Sequence, residues 1–145
     1  MIYAARQESW ARPGGRSWNF DMKALTICQP YAELIARGEK FVENRTWYTT
    51  YRGPLAIHAG LSTHRLGEWP PISRDLAREF PRGAIIAVCH VEDCLPVDQA
   101  PPSRHTHGPY CWLLADVVRL AEPIPCKGHL SLWNLPPDVL EQLTR

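Results

Sequence analysis

Apolar positions along this chain fall into short runs separated by glycine- and proline-rich turns. Residues 23–28, largely apolar around Leu25 and Ile27, read as a first strand. Pro30 then suits the first position of a helix, and Tyr31, Leu34 and Ile35 form one apolar stripe. Gly38 supplies the stop. Residues 40–48 are rich in aromatic and β-branched side chains and read as a second strand, and 54–59 as a third. The stretch 61–81 is a polar insertion holding one helix over 73–80, capped by Ser73 or Asp75. The strongest core signal is 83–91, apolar on both faces at its start. A proline-rich loop over 94–109 leads to a long strand at 110–118, a proline-bounded connection, a short run at 128–133 and a terminal helix over 138–144. Five or six short strands with two or three small helices predict an α+β, mainly β fold, a compact barrel with helices at its rim.

Residues 1–21 lack this periodicity, although Trp10 and Trp18 lie among their polar side chains. They read as an N-terminal arm, disordered or outside the native domain, and the domain is expected to span 22–145. Composition narrows the function. A formal net charge of +1 supplies no global field for a nucleic-acid track or an anionic membrane, so any RNA contact must be local. No apolar segment approaches membrane-spanning length and no secretory leader is evident. The five cysteines mostly lie in apolar runs, which fits a reducing, cytoplasmic setting.

The richest chemistry lies in Gly38-Glu39-Lys40-Phe41-Val42-Glu43-Asn44-Arg45-Thr46-Trp47. If the strand begins at Lys40, Phe41, Glu43, Arg45 and Trp47 share one face, while Lys40, Val42, Asn44 and Thr46 share the other. Glu43 and Arg45 then make a charge-assisted pair, with Lys40 at the corner where helix meets strand. Charged side chains usually solvate a sheet edge, so this spacing is equally that of a plain surface strand. Cys126-x-x-His129 has the spacing of half a zinc site, with His105, His107 and Cys111 as other ligand types, but no second pair completes it. No metal or cofactor is expected. A serine hydrolase is poorly supported, since no Gly-x-Ser-x-Gly occurs.

Set in order, the residues resemble the ASCH domains, the ASC-1 homology group of the PUA-like β-barrel superfamily. The matching pieces are Ala24-Leu25-Thr26-Ile27 leading into Gln29-Pro30-Tyr31-Ala32, Gly38-Glu39-Lys40 with Glu43 and Arg45, and Tyr51-Arg52-Gly53-Pro54-Leu55-Ala56-Ile57-His58-Ala59. Gly83-Ala84-Ile85-Ile86-Ala87-Val88, Trp112-Leu113-Leu114 and Glu122-Pro123-Ile124-Pro125-Cys126-Lys127-Gly128 continue the match. The resemblance implies a PUA-like barrel with a cleft beside the first helix that binds RNA or a modified nucleoside. Its floor would be Lys40, Glu43 and Arg45, with Gln29 and Tyr31 on one wall and His58 close by.

Some relatives implied by this resemblance are enzymes, one an amidohydrolase on N-acetylated cytidine and another a ribonuclease. The amidohydrolase pattern keeps the motif lysine, matched by Lys40, and a threonine where this chain has Glu43. In a catalytic version Lys40 and Glu43 would carry the reaction, either Lys40 as base or nucleophile or Glu43 activating water. A nearby carboxylate favours the lysine ammonium and so an anchoring role. The leading expectation is binding of RNA or a modified nucleoside; metal-independent hydrolysis in the same cleft is the alternative. A protein-interaction module, using 61–81 and the aromatic arm, is the third.

Overall fold

A computed structural model describes residues 22–144. It has a mixed α+β fold, a six-stranded sheet curled into a half-barrel with three short helices. The strands are β1 (Lys23–Ile27), β2 (Val42–Arg45), β3 (Gly53–Ala59), β4 (Ala84–Pro96), β5 (Tyr110–Pro125) and β6 (Leu132–Asn134). Their order across the sheet is β2-β5-β4-β3-β1-β6. Only β1 and β3 run parallel; every other neighbouring pair is antiparallel.

Curling comes from the two long strands. The β4–β5 register slips between Ile85 and Ala87, Val88 and His90, and Val91 and Asp93. Each irregularity adds local twist, so a sheet that would otherwise lie open bends round. Ile86 and Ala87 consequently point to the same side although adjacent in sequence. That concave side holds Leu25, Ile27, Leu55, Ile57, Cys89 and Trp112 beneath α1 (Tyr31–Ala36). The opposite face carries Ala24, Ala56, Val88, Val118 and Trp133, covered by Val139 and Leu143 of α3 (Pro137–Thr144). Trp112 is fully buried, a core residue.

Gly38 ends α1 as expected, with φ +77°. Its N–H bonds to Ile35 O at 2.9 Å and the Glu39 N–H to Leu34 O at 2.9 Å, the paired bonds of a Schellman turn. Three boundaries differ from the sequence pattern. The motif strand is confined to Val42–Arg45, because its partner β5 begins at Tyr110, directly opposite Arg45. β4 runs on through Cys94, Leu95 and Pro96, which pair with Trp112, Cys111 and Tyr110, so the expected loop starts later. β5 continues through Pro123 and Pro125, since β2 covers only its first residues and the free edge needs no N–H donors.

The insertion is not merely polar. Leu66, Ile72, Ala77 and Phe80 are buried with Leu34 of α1, which ties 61–81 to the helix beside the motif. Helix α2 (Arg74–Ala77) is a single turn, shorter than expected, with the Ser73 hydroxyl accepting from the Leu76 N–H at 3.1 Å. The N-terminal arm lies outside the described residues.

Candidate functional site

One cleft of about 600 Å³ opens between the end of β1, the start of α1, β2, residues 65–69 of the insertion and the loop around His105. Its floor is the motif. Glu43 is 7% exposed and Lys40 3%. Lys40 Nζ donates to Glu43 Oε1 at 2.9 Å and to the Val42 carbonyl. Arg45 meets the other carboxylate oxygen, with Nε at 3.1 Å and Nη2 at 3.0 Å from Glu43 Oε2. Arg45 Nη2 also donates to Thr26 O at 3.0 Å, which pins β2 against the end of β1. Burial by itself would raise the Glu43 carboxyl, but Lys40 and Arg45 outweigh it and hold the group below the usual carboxylate range.

The expected same-face pair of Glu43 and Arg45 is therefore present, while Lys40 departs from the expected opposite face. It precedes the ladder, so strand alternation does not apply to it and its flexible stem folds back onto Glu43. Tyr31, at the start of α1, lines the cleft 5.8 Å from Lys40 Nζ. Gln29 does not line it. Its carbonyl accepts the Glu33 N–H at 2.9 Å and its amide donates to Pro81 O at 2.8 Å, so it caps α1 and secures the insertion.

His58 lies apart as well, on the sheet face that carries Trp133. Its Nδ1 is 3.2 Å from Thr26 Oγ1 and its Nε2 2.8 Å from Cys126 O. Burial pushes its pKa down and so favours the neutral ring, in which Nε2–H donates to the carbonyl and Nδ1 accepts from the hydroxyl. Gly128 closes over the pair; a Cβ there would lie 2.7 Å from His58 Cε1 and 2.7 Å from Thr26 Oγ1. Gly128→Ala should accordingly destabilise the domain by about 1–3 kcal/mol through overpacking. Equilibrium urea denaturation would read that loss, and an unchanged midpoint would mean that the segment moves aside freely.

Several cleft residues escaped the sequence reading. Asn44 holds the neighbouring loop: its Nδ2 donates to His105 O at 2.8 Å, and its Oδ1 accepts from the N–H groups of His107 at 2.9 Å and Gly108 at 2.7 Å. From the insertion come Arg65, Glu68 and Trp69. The Tyr31 hydroxyl donates to Glu68 Oε1 at 2.8 Å, and Arg65 grips both Glu68 oxygens at 3.1 and 3.0 Å. Burial and the Glu68 carboxylate push the Tyr31 hydroxyl up to about 12, keeping it a proton donor at neutral pH. Trp69 stacks on His105 at 4.6 Å, with the Arg104 guanidinium 5.0 Å from its ring. The readable signal was Trp69 itself, a large aromatic in an otherwise polar insertion.

Among the described residues no group of three or more His, Cys, Asp or Glu side chains is placed to hold a metal ion. Cys126 and His129 take other roles there, Cys126 through its carbonyl to His58 and His129 edge-on to Trp133 at 5.1 Å. No described helix is long and apolar enough to cross a membrane.

The family model of the ASCH domain matches residues 25–123, and the chain belongs to that family. Human and mouse proteins, both named activating signal cointegrator 1, are 28% and 27% identical over 128 residues, covering 77% of this chain. The matched region is 22% of each of those proteins, so this chain spans about a fifth of their length. Crystal structures of ASCH from Zymomonas mobilis and of its two point mutants share the fold, with TM-scores of 0.52, 0.53 and 0.56. They cover 84–87% of this chain and 92–96% of theirs at 14–16% identity.

Proposed function

We propose that this ASCH domain binds a nucleoside, or one splayed-out base of an RNA, in the cleft floored by Lys40, Glu43 and Arg45. The observation that carries this reading is a buried charged floor walled by Tyr31, Trp47 and Trp69 in about 600 Å³. That space suits one base with its sugar, and pockets for small ligands commonly combine such apolar walls with a few fixed polar groups. A base stacked on one of those rings gains about 1–3 kcal/mol, and base edges supply partners for the floor. The net charge of +1 favours a single-site ligand over a long phosphate track.

Hydrolysis by Lys40 and Glu43 is the weaker reading. A general base works best with a pKa near the working pH, and despite burial Lys40 and Arg45 hold the Glu43 carboxyl below the usual carboxylate range. Glu43 already accepts from two cations, and Lys40 is buried as a donor to Glu43 and Val42. Incubation with N-acetylated cytidine followed by chromatography is expected to show no release of cytidine.

The direct test is titration of the purified protein with nucleosides and a short single-stranded RNA, read by quenching of tryptophan fluorescence. Arg45→Ala should weaken binding roughly tenfold or more, the worth of a charge-assisted hydrogen bond. Its side chain is 23% exposed, so the fold should tolerate the change better than at Lys40. Equal affinity in the variant and the native chain would move the site elsewhere.

A further inference from the structure

Charge is unevenly compensated around the cleft. Of its lining side chains, Lys40, Arg45 and Arg65 are cations, with Glu43 and Glu68 as the carboxylates. Lys40 and Arg45 share Glu43, and Arg65 holds both oxygens of Glu68. A further cation stands at the rim. Arg104 is exposed, precedes the lining residue His105, and lies over the Trp69 ring at 5.0 Å. It makes no ion pair among the described residues. An aromatic face attracts a cation without cancelling its charge. His105 registers the excess: burial, then Lys40, Arg104 and His107, push its pKa down, with Glu39 opposing them. Glu39 itself is 3.7 Å from Arg37.

We infer that Arg104 forms a phosphate subsite at the rim, so that the ligand is a nucleotide, with a phosphate ester on its sugar, rather than a bare nucleoside; the inference rests on the cleft being a nucleoside site. The cleft orders the two ends of such a ligand. A base has apolar faces and goes between the aromatic walls above the buried floor. A phosphate is strongly hydrated and stays at the rim, where water still reaches it. There Arg104 offers a planar fork that matches two phosphate oxygens. Arg65 is the other rim arginine, but its fork grips Glu68, and a phosphate beside that carboxylate meets like charge. Lys40 and Arg45 are the competing holders. Glu43 lies between them, and a dianion buried against a carboxylate loses solvation as well as meeting repulsion.

Calorimetric titration of the full chain with the four ribonucleosides and their 3′- and 5′-monophosphates tests this. For the base that binds, one monophosphate should bind about tenfold tighter than the nucleoside, as one charge-assisted contact allows. That gap should narrow between about 50 and 500 mM salt. Arg104→Gln should remove most of the gap, whatever smaller loss the nucleoside shows through Trp69, and Arg104→Lys should restore part of it. Retention of the advantage in a dinucleoside monophosphate would point to an RNA backbone as the source of the phosphate, and its loss to a free mononucleotide; both keep the subsite. Equal affinities for nucleoside and monophosphates would leave a nucleoside site and overturn the subsite. So would a gap that survives in Arg104→Gln, which would reduce Arg104 to a prop for Trp69. Binding of none of these ligands would overturn the nucleoside reading and the inference with it.

Discussion

Glu43→Ala is expected to destabilise the domain by roughly 3–5 kcal/mol, because it strands a buried cation. Lys40 and Arg45 converge on this one carboxylate from opposite sides, and Lys40 is 3% exposed. Without it the ammonium keeps only the Val42 carbonyl as partner, at a position so little exposed that water only partly replaces the lost charge. Denaturant midpoints of variant and native protein measure the effect. The exposed Asp75–Arg78 pair, at 3.5 Å, is the internal control: Asp75→Ala should cost under about 1 kcal/mol. Similar small losses at both positions would mean that solvent reaches the floor and that the triad is no more than a surface ion pair.

The same triad sets a pH dependence. Glu43 has a folded-state pKa below its unfolded value, so the folded state holds the ionised form more tightly. Its stabilisation is fully present above the ordinary carboxylate range and is lost as acidification reaches the depressed folded value. Removing Glu43 should therefore flatten part of the acid limb of the stability profile. Lys40→Ala would cost the fold as well as any binding. A buried lysine paired at 2.9 Å is part of the fold, and only Arg45, more open and holding unused N–H groups, separates binding from stability.

Local rules reached the strands, the α1 stop at Gly38 and the Glu43–Arg45 pair because each depends on near neighbours in sequence. They could not reach Gln29 or His58. Gln29 is bonded to Pro81, 52 residues away, and His58 to Cys126, 68 residues away, so which side of the sheet each serves is set by tertiary packing. The ends of β4 and β5 were hidden for a related reason. Prolines normally stop strands, and only the sheet order reveals that those of β5 lie on a free edge. One wall of the cleft, Arg65, Glu68 and Trp69, comes from the insertion, whose Trp69 reaches the motif only because Leu66, Ile72 and Phe80 pack against α1.

Asn44 offers the sharpest separation of positioning from contact. It sits between the two charged motif residues and spends its amide on three backbone groups of the 105–108 loop. Asn44→Ala should cost about 2–3 kcal/mol, since each bond contributes about 1 kcal/mol and the freed backbone groups are partly shielded. Nucleoside affinity should fall with it, because His105 supports Trp69 across the cleft. Asn44→Asp keeps an acceptor for the His107 and Gly108 N–H groups but loses the donor to His105 O, so it should recover part of both losses. Hydrogen exchange at those two amides supplies the independent readout: faster in the alanine variant and near native in the aspartate one. If alanine left both exchange rates unchanged while affinity fell, Asn44 would touch the ligand itself. If exchange rose with affinity intact, the loop would not be part of the binding wall, and recognition would rest on Tyr31, Trp47 and the charged floor alone.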